Sequence, residues 1–501
     1  MFDNLMLGFG ALMDVYMLAA IAAGVIGGVM IGLLPGLTST MAVALLIPVT
    51  FSMPPQIGLG MLGGIYVAST YSGAISAILL NIPGTSAAVA TLLDGHPMSK
   101  KGQSTRALAL ATFASCIGGF VSVIALLLIA PTLAELSLMF GPTEYFLLAV
   151  FGITVIASLS AGAIEKGLIA GACGLLMATV GSHPLTGEMR FTFNAPALYD
   201  GIPLIVSLIG LYSIPEVINI IARRNQQSTT QSSMDKHNPF SFMPDMLKQK
   251  LNVLRSSVIG VIVGIIPGVG CSVGGILSYD AAKRASKTPE KFGTGSSEGL
   301  VASETANNAV TGGTLIPLLT LGIPGNPVTA VLLGGLMIHG LRPGAELFTM
   351  NADITYGFIF SLFVANLLFV PVGLFVAKYC SRVIHLPHSI LAATILALAV
   401  VGSYSIRGAV EDIYIMLFVG ALGFLMQLMH IPRAPMVLGL VLGSMAEGEL
   451  ARSLALVQND LGAFAGQMVT RPISIIILLL CAYSLYQGIK QHKNASKALE
   501  Q

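Results

Sequence analysis

Apolar runs of about 20 residues, the length a helix needs to cross a bilayer, recur along the chain. They predict spans near 15–34, 107–131, 145–160, 164–181, 203–221, 256–279, 356–378, 387–404, 413–430 and 472–488. Between them, at 37–50, 58–93, 298–340 and 433–446, lie apolar pieces that are shorter or interrupted by Gly and Pro. These are too apolar for loops and too broken for simple spans, which suits re-entrant hairpins or broken helices. A break survives at membrane depth only where it is buried in protein or lines a wet cavity. The expected fold class is an all-α polytopic membrane protein.

One polar segment divides the chain. Ala222 to Arg255 is rich in Gln, Ser and Lys/Arg and reads as an exposed linker. Its cations (Arg223, Arg224, Lys236, Lys248, Lys250 and Arg255) place it in the cytoplasm by the positive-inside rule, and the tail with Lys490, Lys493 and Lys497 goes to the same side. The expected organisation is a first membrane repeat over 1–221, a cytoplasmic linker over 222–255, a second repeat over 256–471, and a final helix and cytoplasmic tail over 472–501.

The breaks come as a pattern. GLLPGLTST (Gly32 to Thr40) is followed by LLNIPGTSAAVA (Leu79 to Ala90). GIIPGVGCS (Gly264 to Ser272) is followed by LGIPGNPVTAVL (Leu321 to Leu332). Each half thus carries a first P-G break and then an I-P-G break. A single P-G pair is only a helix kink. Two different pairs in the same order in both halves point to a binding site of the kind secondary transporters build from broken helices. Loop charge gives the halves an orientation. FSMPPQ, after the first break, is uncharged, whereas the loop after the second holds Lys100, Lys101 and Arg106. In the second half the order is reversed. The first loop holds Lys283, Arg284, Lys287 and Lys291, and the second holds only Arg342 against Glu346 and Asp353. Equivalent loops therefore face opposite sides, which predicts two inverted-topology repeats and an external N-terminus.

Composition narrows the class further. Of 501 residues, 54% are hydrophobic and 10% charged, against roughly 25% charged in a soluble domain. Mean hydropathy is +0.84. The net charge of +2 names no partner, and no basic stripe with interleaved aromatics suggests nucleic acid. Five scattered cysteines form no C-x-x-C pair and read as small buried hydrophobes. Trp is absent, so an interfacial belt would use the 13 Tyr. The N-terminal stretch has no basic region ahead of its apolar residues and does not read as a signal peptide. No enzyme is expected. GSSEG (Gly295 to Gly299) matches G-x-S-x-G without a strand-turn-helix setting. GVGCSVG has the wrong spacing for a dinucleotide loop, and neither a Walker A motif nor H-E-x-x-H is present.

The breaks carry candidate chemistry. Proline ends or kinks a helix, and the following Gly permits the turn. A half-helix can then restart with free N–H groups and hydroxyl or amide caps: Thr38, Ser39 and Thr40 after Pro35-Gly36, Thr85 and Ser86 after Pro83-Gly84, Asn326 and Thr329 around Pro324-Gly325. Such a terminus binds carboxylates, and the unwound carbonyls beside it suit Na⁺. The four P-G segments hold no Lys or Arg. Asn81, Asn307 and Asn308 add side-chain amides, with Thr311 one turn further on. Gly268, Ser272, Glu304 and Thr329 are candidates for ion coupling. Glu304 lies either at membrane depth, where an ionisable group is a functional candidate, or at the interface. Asp94 and His96 sit at a loop edge, solvated or capping. Ser, Thr and Asn in membrane helices also serve simply to bond neighbouring helices. The G-x-x-x-G spacings of Gly24, Gly28 and Gly32 suggest close helix packing.

These motifs, together with YSGAISAILLNIPGTSAAVATLLDGHPMSKKGQ and ETANNAVTGGTLIPLLTLGIPGNPVTAVLLGGLMIHGLRPG, resemble the large membrane subunit of the tripartite tricarboxylate transporters over essentially the whole chain. The resemblance implies a multi-pass permease of the bacterial inner membrane that takes up carboxylates on an ion gradient. It implies two partners, a small membrane subunit and a periplasmic solute-binding protein. The family signature falls on Pro35-Gly36, Asn81 to Thr85, Asn307-Asn308 and Pro324-Gly325; Ser86 stands where many relatives have proline. Elevator-type alternating access is the mechanism suggested by analogy. No cofactor is expected beyond co-transported Na⁺, with H⁺ as the alternative. The competing functions are an anion channel or exporter that needs no binding protein, and an intramembrane enzyme, for which no nucleophile-base pair or metal cluster is evident. Selectivity among carboxylates belongs largely to the binding protein and is not written in this chain.

Overall fold

A computed structural model describes residues 2–34, 37–159, 164–183, 186–222, 237–267, 270–379 and 388–499. Its helices are α1 (Phe2–Ala11), α2 (Val15–Leu33), α3 (Ser39–Thr50), α4 (Pro55–Leu80), α5 (Leu92–Lys100), α6 (Ser104–Ser137), α7 (Pro142–Leu159), α8 (Ile164–Ala178) and α9 (Leu204–Ala222) in the first half. They are followed by α10 (Met243–Leu247), α11 (Lys250–Ile265), α12 (Gly270–Ala285), α13 (Ser297–Leu321), α14 (Pro327–Ile338), α15 (Ala345–Thr349), α16 (Ala352–Lys378), α17 (His388–Arg407), α18 (Val410–Leu428), α19 (Ala434–Leu456), α20 (Leu461–Thr470) and α21 (Pro472–Leu499). Among the described residues, eight of these are long and apolar enough to cross a membrane. A ninth span is formed if α20 and α21, which meet at 86°, count as one. The chain is thus an all-α, multi-pass membrane protein.

Three sequence expectations shift. The interrupted piece 58–93 contains one unbroken helix, α4, that Pro55 starts and Asn81 ends. The piece 433–446 lies inside the continuous α19. Conversely, the span expected at 256–279 is two helices, α11 and α12, separated around Pro267. Of the expected linker, 223–236 lies outside the described residues, while α11 already begins at Lys250.

The two halves pack alike. α2 lies on α4 as α11 lies on α13, and α3 lies on α4 as α12 lies on α13. The halves also interlock: α13 packs against α6, and α4 against α16. Glycines set the close approach. A Cβ at Gly28 would stand 2.7 Å from the Ile65 carbonyl, and one at Gly32 would stand 2.5 Å from that of Ser69. In the second half the same part falls to Gly260, facing the Ala306 carbonyl at 2.5 Å, and Gly264, facing that of Val310 at 2.8 Å. The glycine spacing in α2 therefore reflects backbone-to-backbone packing, as expected from the sequence.

A second group surrounds this central one. α9 packs on α17 and α18, and α19 packs on α7 and α8. The groups touch largely through α3 and α14, the helices that follow the first break and the last. At one end of the molecule Gln56 Nε2 donates to the Asp353 carbonyl (3.4 Å) and His339 stands 3.4 Å from Thr50 Oγ1. Elsewhere Lys101 Nζ donates to the Thr294 carbonyl (2.7 Å). The loop after the first break of one half is thus joined to the loop after the second break of the other, in both cases.

Candidate functional site

α2 ends at Leu34, whose N–H donates to the Ile31 carbonyl (3.1 Å) before Pro35 forbids another turn. Pro35 and Gly36 themselves lie outside the described residues, as does Gly268. The chain restarts at Thr38, whose hydroxyl accepts the Met41 N–H (3.2 Å) and caps α3 as expected. Ser39 and Thr40 are buried in its first turn. The first I-P-G turn then returns to this place. A Cβ on Gly84 would collide with the Gly32 carbonyl, three residues before Pro35, and would stand 2.6 Å from Ser76 Oγ and 2.9 Å from Gly73 Cα.

The second half repeats the arrangement. A Cβ on Gly325 would stand 3.0 Å from the Gly264 carbonyl, three residues before Pro267, and 2.8 Å from Thr314 Cγ2. Gly73 and Thr314 occupy the same place relative to their I-P-G motifs. Asn81 and Gly322, also matched in position, end α4 and α13 in left-handed conformation with φ of 61° and 70°. Asn81 is exposed and acts as a helix terminator. Asn326 begins α14 with a capping box: its Oδ1 accepts the Thr329 N–H (2.9 Å), and Thr329 Oγ1 accepts the Asn326 N–H (3.0 Å). Pro324 is buried beside it. Thr85, at the same step of the first half, heads a short 3-10 turn (Ser86–Val89) without a capping bond. Ser86 is exposed, and Ser272 in the first turn of α12 is half-buried.

The second break of the second half reaches a residue of the first. Tyr66 in α4 receives the Asn326 Nδ2–H at its hydroxyl (2.9 Å), which stands 2.9 Å from Thr314 Oγ1. Asn307 is the positional counterpart of Tyr66, on the other central helix. Its Nδ2 reaches the Thr70 carbonyl (3.5 Å), but its Oδ1 has no partner among the described residues. Asn308 next to it is fully buried with neither side-chain polar atom paired, and the buried Thr85 Oγ1 is also unpaired. A buried polar atom left unmatched costs about 1–3 kcal/mol. Three such residues, Asn307, Asn308 and Thr85, lie on the motifs read from the sequence. Thr311 differs, because its hydroxyl donates to the Asn308 carbonyl of its own helix (2.7 Å).

Glu304 is fully buried within the protein. Thr91 Oγ1 and Ser115 Oγ donate to its two carboxylate oxygens, the second at 2.8 Å, and Asn307 bonds it as well. No Lys or Arg pairs with it among the described residues. Asp94 is also buried rather than solvated. Its Oδ1 accepts the N–H groups of Gly293 (2.9 Å), Gly295 (2.7 Å) and Ser296 (2.7 Å), the approach to α13. Ser296, which precedes the central Ser297 of the hydrolase-like GSSEG, is the cap of α13 and accepts the Gly299 N–H (3.3 Å). Sequence reasoning missed Tyr66, Thr91 and Ser115. The hydroxyl row Tyr66, Ser69, Thr70 along one face of an apolar helix was the available signal.

Broken half-helices paired in two matching halves of a multi-pass membrane protein are the kind of arrangement found in membrane transporters. The chain belongs to the tripartite tricarboxylate transporter TctA family, whose model matches residues 18–438. It is similar to an "Uncharacterized 52.8 kDa protein in TAR-I ttuC' 3'region" of Agrobacterium vitis, 36% identical over 95% of this chain and 94% of that protein. It is also similar to an "Uncharacterized protein in TAR-II ttuC' 3'region" of the same organism, 35% identical over 44% of this chain and 89% of that protein. No solved structure matches the chain.

Proposed function

We propose that the chain is the permease subunit of a binding-protein-dependent transporter of the bacterial inner membrane, and that it drives secondary-active, cation-coupled uptake of di- and tricarboxylates. It acts by transport, not catalysis. The observation that carries this reading is the closure of both breaks of each half on one another, together with the unpaired Asn307 Oδ1, Asn308 amide and Thr85 hydroxyl. The helix starts at Thr38 and Asn326 turn N–H groups toward a carboxylate. The substrate set is Pro35 to Thr40, Asn81 to Ser86, Asn307 to Thr311 and Pro324 to Asn326. No Lys or Arg lies in the four P-G segments, so a co-bound Na⁺ at Gly268, Ser272 or Thr329 supplies the missing charge, with H⁺ on Glu304 as the alternative.

Two features support the finer architecture. Joined opposite loops (Gln56 with Asp353, Lys101 with Thr294) fit two inverted repeats, in which equivalent loops lie at opposite ends. The two packing groups joined mainly through α3 and α14 fit an elevator in which the central group moves against α7–α9 and α17–α19. The partners are a small membrane subunit and a periplasmic solute-binding protein. The test is reconstitution of the three components in proteoliposomes, with labelled di- and tricarboxylates and an imposed Na⁺ or pH gradient. Uptake that needs all three components and a gradient is expected. Equal transport by the large subunit alone would replace this reading with the channel or exporter.

A further inference from the structure

The polar segment that precedes the second half is not only a connection. Pro239–Phe242 forms a 3-10 turn continuous with α10, and both lie against α6, where the Phe240 and Phe113 rings meet at 5.7 Å. Between this segment, α6 and the start of α11 runs an open groove of about 220 Å³. Ile117 and Val121 form one wall, Val253 and Leu254 the other, and Met246 the end; Lys250 stands at the mouth.

Each wall continues as an apolar stripe facing away from the protein. On α6 it runs Ile117, Val121, Ile124, Leu128; on α11 it runs Leu251, Leu254, Val258, Ile262. Both spacings follow a single helix face. Both stripes start at the same charged end. There Asp245 is the one acid shared by Arg106 (3.2 Å) and Lys248 (3.4 Å). Arg255 bonds only the neutral Asn252 amide (2.7 Å), and Lys250 has no acidic partner among the described residues. Glu298, the next acid, holds Ser286 (2.5 Å). Four cations against two carboxylates, Asp245 and Glu298, leave a positive end on an apolar, outward-facing slot.

We propose that this groove binds one anionic phospholipid, with an acyl chain between α6 and α11 and the phosphate at Lys250 and Lys248. Charge selects the occupant. A zwitterionic lipid would bring its own cation to a site already in positive excess, and a soluble anion would leave the apolar walls unused. Basic clusters at the end of a membrane span attract anionic headgroups, with each Lys or Arg contributing about five-fold in affinity. None of the groove's lining residues belongs to the P-G or I-P-G turns, so its failure would leave the transport reading intact.

The experiment titrates the purified full-length chain in detergent with phosphatidylglycerol, phosphatidylcholine or inorganic phosphate, read by native mass spectrometry and by thermal shift. Phosphatidylglycerol should bind with defined stoichiometry and stabilise the protein. The K248Q/K250Q variant, which changes two exposed side chains, should weaken it by about ten-fold or more. The Val121→Trp variant, which fills the groove and keeps the charges, should weaken it too. Equal binding of phosphatidylcholine, unchanged binding by either variant, or full competition by inorganic phosphate at the lipid's own concentration would each overturn the proposal.

Discussion

Gly84 and Gly325 illustrate what the sequence says and what it leaves out at the scale of one residue. The I-P-G motifs mark a turn, but not that each glycine is pressed onto the carbonyl of Gly32 or Gly264 from the other break. That contact fixes the geometry between breaks, so a β-branched side chain there must push them apart. Overpacking of this kind costs about 1–3 kcal/mol, enough to lower uptake by about ten-fold or more in Gly84→Val and Gly325→Val. Gly448→Ala is the control, since nothing lies within 4 Å of a Cβ there. Normal uptake by a stably inserted Gly84→Val protein would remove the turn from the site. Glu304 gives a second prediction. Glu304→Ala strands the Thr91 and Ser115 hydroxyls and should destabilise the protein by about 1–3 kcal/mol. Glu304→Gln keeps one acceptor oxygen and presents an NH₂ to which the other hydroxyl can turn as acceptor, so it should preserve stability better than Ala while changing uptake. A Gln variant with unaltered rate and pH profile would exclude Glu304 from coupling.

At the scale of elements, the breaks were legible because proline and glycine are local instructions. The continuity of α4 was not. It is buried all round, so it shows no apolar stripe, and its Gly, Ser and Thr look like interruptions although they are packing surface. The same blindness hid Tyr66, whose partners Thr314 and Asn326 lie far away in sequence. At 256–279 the length of the apolar run suggested one span, but the P-G break read at Pro267 divides it into α11 and α12. The arrangement expected from loop charge is open to a direct test. Lys100 and Lys287 should react with impermeant thiol reagents from the cytoplasm, after substitution by cysteine, and Gln56 and Glu346 from the outside. Reaction of the Gln56→Cys and Lys287→Cys variants from one side would end the inverted-repeat proposal.

For the molecule as a whole, the deciding quantity is charge. A di- or tricarboxylate carries charge of about −2 or −3 into a protein interior, where each unpaired charge costs several kcal/mol even after relaxation. Helix starts such as those at Thr38 and Asn326 return about 0.3–2 kcal/mol each. The four P-G segments have no Lys or Arg to supply the rest. The unpaired Asn307, Asn308 and Thr85 present oxygens that a hard cation would also accept. Na⁺ should therefore bind together with substrate and tighten it. Linkage makes the effect reciprocal, so substrate must tighten Na⁺ by the same factor, commonly about 5–150-fold for coupled sites. Calorimetry on the purified complex, with choline in place of Na⁺, measures the first half of that cycle, and a Na⁺ titration with and without substrate measures the second. If substrate affinity is the same in choline and uptake follows an imposed pH gradient alone, the coupling ion is the proton. Glu304, buried and without a cationic partner among the described residues, then becomes its carrier.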